Sequence, residues 1–117
     1  MIDDMEQTDS DKHVRAHFDG VTRQYLLSIL TDGLIEEHRR NPPHLSEPLS
    51  RLLAWCQRRP LVEQFAVKAE ADGSFRVISF SGVRGKGPSY ATKQRYTTLA
   101  EARHGVLLRH IQDLTGT

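Results

Sequence analysis

The chain has 117 residues, 38% hydrophobic and 26% charged, with a formal net charge of +1. That length fits one globular domain with its own core, and the near-neutral balance excludes whole-molecule attraction to a polyanion as the main source of affinity. A single cysteine, Cys56, excludes an internal disulfide framework, and no basic-then-apolar leader or run of about 18 apolar residues occurs, so a soluble cytoplasmic chain with no membrane partner is expected.

Met1 to Asp11 holds five acids and no base. Such a segment offers too little apolar surface to offset ordering, so residues 1–12 are expected to form an acidic disordered tail and 13–117 a single domain. Phe18, Val21, Tyr25, Ile29 and Leu30 recur at spacings of three and four, which predicts a helix over about 15–31. After TDG, Asp32 is a candidate cap for a short helix through LIEEHRR, with Glu36 and Glu37 early and Arg39 and Arg40 late, as the helix dipole prefers. NPP stops it. Ser46 then caps a third helix, with Pro48 in its first turn and Leu49, Leu52, Leu53 and Trp55 or Cys56 behind; Pro60 closes it.

VEQFAVKAEADGSFRVISF contains two alternating runs around ADGS. Asp72 and Gly73 suit the positive φ angles of a tight turn, so a β-hairpin is predicted. KQRYTT is read as a short third strand. Thr98 and Glu101 have capping-box spacing, and Leu99, Ala102, Val106, Leu107, Ile111 and Leu114 form the apolar stripe of a final helix to about residue 114. The predicted fold class is α+β: three N-terminal helices, a small antiparallel hairpin or sheet, and a C-terminal helix.

Ser81 to Tyr96, SGVRGKGPSYATKQRY, holds Arg84, Lys86, Lys93 and Arg95 and no acid. Its glycines suggest a phosphate cradle, but Phe80 stands where a Walker loop needs its first glycine, and the GxxGxG order reverses the dinucleotide fingerprint. Its cations with Tyr90 and Tyr96 suit a small nucleic-acid-binding protein, the alternative reading. Four charges neutralise about four phosphates at most, too few for firm binding at physiological salt, so nucleic acid is not the expected partner. His13 and His17 lie four apart, a chelating spacing on a helix, but no third ligand accompanies them. His38, His44, His104 and His110 are scattered and read as surface or half-buried polar residues. Cys56 lies between leucines and arginines and reads as a packing group rather than a nucleophile. No nucleophile, base and oxyanion site assembles from the sequence, so no catalytic, cofactor or metal residue is assigned.

Three stretches taken together, EEHRRNP at Glu36 to Pro42, LSRLLAWCQRRP at Leu49 to Pro60 and RYTTLAEARHGVLLRHIQDL at Arg95 to Leu114, resemble the small subunit of N,N-dimethylformamidase. The similarity spans about residues 18–114. It implies the non-catalytic subunit of a hydrolase acting on linear amides, in which dimethylformamide or a related small N-substituted amide is split to amine and formate. It also implies a large catalytic subunit as partner in a hetero-oligomer, with a mononuclear iron there on tyrosine and carboxylate side chains, acting as Lewis acid and activator of water. For contact with that subunit the candidates are Leu52, Trp55 and Arg59 on the third helix, Arg103, His110 and Leu114 on the last, and the basic group Arg84, Lys86, Lys93 and Arg95. Tryptophan and arginine are common interface anchors, and the basic stretch is expected to meet an acidic or polar surface.

Overall fold

The computed structural model describes residues 20–116. The acidic tail, the His13 and His17 pair and the expected helix start near residue 15 lie outside the described residues. The chain divides into two compact units at Leu30/Thr31. In the first, residues 20–29 are helical (α1).

The second unit runs in the order α2 (Asp32–Arg39), α3 (Glu47–Gln57), a 3₁₀ turn (Leu61–Glu63), β1 (Phe65–Ala69), β2 (Phe75–Ser79), β3 (Ser89–Tyr90) and α4 (Leu99–Thr115). This is the α+β architecture the sequence predicts. Helix α2 is capped by Thr31, whose Oγ1 accepts from Leu34 N at 3.1 Å, so Asp32 is the first helical residue rather than the cap. Helix α3 starts as predicted, at Ser46 with Pro48 in the first turn.

The strands form an antiparallel meander in the order β1-β2-β3, with Val67 opposite Val77. The hairpin turn differs from the prediction. Glu70 N donates to Ser74 O, Gly73 N donates to Glu70 O, and only Gly73 has a positive φ, at 86°. Three residues bridge the strands, the arrangement in which one left-handed glycine after a turn restores the pairing, so Asp72 needs no positive φ. The third strand also differs: β3 is Ser89–Tyr90, and KQRYTT contributes only a bridge in which Phe75 and Tyr96 exchange N–H···O bonds of 2.8 Å. Residues between them turn locally, with Gln94 N donating to Thr92 Oγ1, and so leave the ladder.

Helix α4 lies across β1 and β2 and also meets α2 and α3. Its start follows the predicted cap, Thr98 Oγ1 accepting from Glu101 N, while the Glu101 carboxylate reaches back to Thr97. Gly116, left-handed at φ 77°, ends it. The core is built from Leu49, Leu52, Val77, Ala102, Leu107 and Leu114. Each leucine so buried contributes about 1.5–3 kcal/mol relative to an exposed one. Gly105 sits mid-helix because Tyr96 crosses it: a Cβ there would lie 2.6 Å from Tyr96 Cζ. The sequence-predicted stripe is shifted. Leu99 is exposed, whereas His104, Gly105 and His110 are buried.

Candidate functional site

Two surfaces of the second unit gather chemistry-bearing side chains. The larger is an open groove of about 520 Å³ between α2, α3, α4 and β1, reached by His38, Cys56, Phe65, Arg103 and His110. His38 and His104 meet Nδ1 to Nδ1 at 2.9 Å with their rings stacked, which requires one ring to donate and the other to accept. Burial pushes both below the ordinary histidine range; His38 is lowered further by His104, and His104 by Arg39. His110 stands edge-on to Phe65, with centroids 5.0 Å apart, and its proton affinity is likewise lowered by burial.

Cys56 is buried, and that burial pushes its thiol up to about 12 against the pull of Arg59. A thiol with so high a pKa holds almost no thiolate at neutral pH, so it is a packing group. Gln64, taken by the sequence for a strand residue, closes the groove's end: its Nε2 donates to the carbonyls of Cys56 at 2.9 Å and Arg59 at 2.7 Å. Carbonyls at a helix C-terminus need such partners. Glu37 is not a simple dipole partner either. Its carboxylate accepts from Ser46 N and Oγ at 2.7 and 2.6 Å, tying α2 to the start of α3. Glu36 takes the ion-pair role with Arg39 and Arg40, and the acid in the first turn of α2 is Asp32.

Among the described residues no group of three or more His, Cys, Asp or Glu side chains could hold a metal. Nor do the tyrosines in this unit join carboxylates. Tyr90 Oη accepts from Lys68, its ring lies 3.6 Å from the Arg76 guanidinium, and Tyr96 packs on Gly105. The tyrosine and carboxylate set of an iron centre therefore does not fit the described side chains of this unit. Of the two rings that the alternative reading offers to bases, Tyr96 is held against Gly105, while Tyr90 is 47% exposed beside the Arg76 guanidinium.

The second surface is the loop after β2. Arg84 and Lys86 rim a cavity of about 280 Å³ that Leu61, Phe80, Val83 and Pro88 line. The remaining sequence-derived interface residues do not converge. Leu52 is 1% exposed, Leu114 1% and His110 3%, so these three serve the core and do not form an outer face. They lie on the core-facing sides of α3 and α4, where the apolar stripes already placed Leu52 and Leu114 but not His110. Trp55 and Arg59 are half-buried, the guanidinium standing 4.9 Å from the ring and bonding Glu63. Arg103 is exposed at the groove. Lys93 is exposed, and Arg95 reaches back to Asp72 at 3.3 Å, away from Arg84 and Lys86.

The fold and these surfaces define a small α+β module with packed histidines, an unreactive thiol and an ordered basic loop. A sequence model described as N,N-dimethylformamidase alpha subunit matches residues 13–117, and the chain belongs to that family. No curated protein matches it. The family description makes it one subunit of a multi-subunit hydrolase. Among the described residues no helix is long and apolar enough to cross a membrane.

Proposed function

We propose that this chain is the small accessory subunit of an N,N-dimethylformamidase-like iron amidohydrolase of the cytoplasm, and that amide hydrolysis takes place in a large partner subunit. Dimethylformamide or a related small N-substituted amide is the substrate, and amine and formate are the products. Hydrolysis of an amide needs a polarised carbonyl and an activated water, chemistry that an iron ion supplies when bound. The role of this chain is to fold as a platform on which the large subunit is held.

The observation that carries the reading is the family match over residues 13–117. Two features support it. The side chains with catalytic potential, Cys56, His104 and His110, are committed to packing. The unit also leaves Leu61, Val62 and Val83 exposed around one loop and turn, apolar side chains that a partner surface can cover.

The test is to co-express the chain with the tagged large subunit of an N,N-dimethylformamidase, purify the assembly, separate the chains and assay iron in each. Co-elution with iron in the large chain is the expected result, together with a higher melting temperature of the small chain in the assembly. Iron travelling with the small chain, or no co-elution, contradicts the proposal.

A further inference from the structure

Leu61, Val62 and Val83 are 59%, 58% and 61% exposed. Burial of large apolar side chains is the main source of stability, so three of them held at a surface ask for a cover. They come from two segments brought together across the fold. Leu61 and Val62 lie on the 3₁₀ turn between α3 and β1, and Val83 on the loop after β2. The close approach of the loop to this turn is fixed at Gly82, where a Cβ would overlap Val62 Cγ1 and φ is 69°.

The loop is built rather than loose. Ser81 Oγ accepts from Val83 N at 3.1 Å and donates to Lys86 O at 3.1 Å, while Lys86 N donates to Val83 O. These bonds hold Val83, Arg84 and Lys86 outward around the cavity that Leu61, Phe80 and Pro88 complete. Like Arg58, Arg76, Lys93 and Arg103, the two cations there make no ion pair with a described carboxylate, and what sets them apart is their place at the rim of an apolar cavity. Arg39, Arg40, Arg51, Arg59, Arg95 and Arg109 each pair with a carboxylate. Among the described residues no carboxylate lines the cavity.

An apolar cavity rimmed by unpaired cations is complementary to an apolar side chain flanked by carboxylates. A two-fold contact with a second copy would set this positive rim against itself. Nucleic acid would find cations but no exposed aromatic ring lining the cavity. We propose that this cavity receives an apolar side chain from a carboxylate-bearing segment of the large subunit, with Arg84 and Lys86 pairing to its acids. The inference rests on the subunit reading above and names its contact.

The test measures dissociation constants between the purified chain and the tagged large subunit at about 50 and about 300 mM salt, a range over which exposed charges become screened. Variants are Val83→Asp, Leu61→Ser, Arg84→Glu with Lys86→Glu, and Lys93→Glu as a control on the same basic stretch. The double charge reversal is expected to weaken binding about tenfold or more at low salt and less at high salt. Val83→Asp and Leu61→Ser each weaken it about tenfold at both. Lys93→Glu leaves it within about twofold. Val83, Leu61, Arg84 and Lys86 are all exposed, so melting temperatures should hold; if Val83→Asp lowers its own, Leu61→Ser and the charge reversal decide the matter. Binding of all variants within about twofold of the parent overturns the inference alone. Failure of the parent chain to bind overturns the subunit reading and the inference with it. A dimer of this chain abolished by Val83→Asp, or single-stranded RNA retention abolished by the charge reversal, with large-subunit binding intact, also overturns it.

Discussion

Lowering the pH should destabilise this fold well before its carboxylates titrate. His38, His104 and His110 all have native pKa values below the ordinary 6.5. The unfolded chain therefore binds more protons than the native one, and stability present above pH 6.5 is lost as pH falls toward the lowered native values. Each such proton is worth about 1.4 kcal/mol per pH unit. A histidine that stays neutral when native down to pH 5 thus loses about 2 kcal/mol between 6.5 and 5. His110 and His104 are 3% and 9% exposed, so these two carry most of the effect, and about 4 kcal/mol is the ceiling on their sum over that range. His38 adds less. A first proton leaves one Nδ1–H donating to the other Nδ1 in the His38 and His104 pair, and only a second places hydrogens on both. Arg39 beside His104, and Arg59 and Arg109 near His110, oppose added charge, while Glu36 and Asp113 favour it.

Three carboxylates also have lowered pKa values, but in a more acidic window. Glu36 is held at about 2 by its hydrogen bonds to Arg39 and Arg40, while Glu37 and Asp72 are lowered by Ser46 and Ser74. Their contributions are present above the ordinary carboxylate values and disappear only as pH falls below them. Urea unfolding at pH 7, 6 and 5 with ring-proton titration by NMR is the assay, and His110→Phe should remove about half the slope. A midpoint that does not change from pH 7 to 5, or rings titrating at the ordinary value, would refute the reasoning.

Gly105→Ala should destabilise by about 1 kcal/mol in urea, although alanine is the better helix former, because crowding against Tyr96 outweighs the propensity gain. Stabilisation would mean that Tyr96 moves aside at no cost. Gln64→Ala should cost about 1–2 kcal/mol through the unbonded carbonyls ending α3. Cys56 should resist iodoacetamide at pH 8 in the folded chain and react once urea unfolds it; immediate labelling would contradict the burial that raises its pKa.

The sequence carried the parts of this fold that are set locally. Ser46 and Thr98 cap their helices because a hydroxyl three residues before a free amide is a short-range matter, and the alternating runs around ADGS pair as a hairpin. Thr31 and Asp32 are both competent caps, and only the backbone entering α2 chooses between them. What escaped is non-local. The His38 and His104 pair spans 66 positions, and Gln64 folds back on α3. The loop from Ser81 to Pro88 is ordered by Ser81 and by contact with Val62, so its glycines, which read as looseness, permit a close approach. The interface residues chosen by type included Leu52 and Leu114, which the apolar stripes of their helices already placed inside, and His110, a polar type whose burial the stripe did not include. The apolar residues beside the basic loop, Leu61 and Val83, carried one available signal: branched side chains next to proline and glycine punctuation with no stripe to join.

Turnover tests the central claim most directly. Dimethylamine and formate release from dimethylformamide should be measured for the small chain, the large subunit and the two combined. The account predicts no turnover by the small chain at any iron concentration and hydrolysis by the combined subunits; amide cleavage by the small chain alone would contradict it.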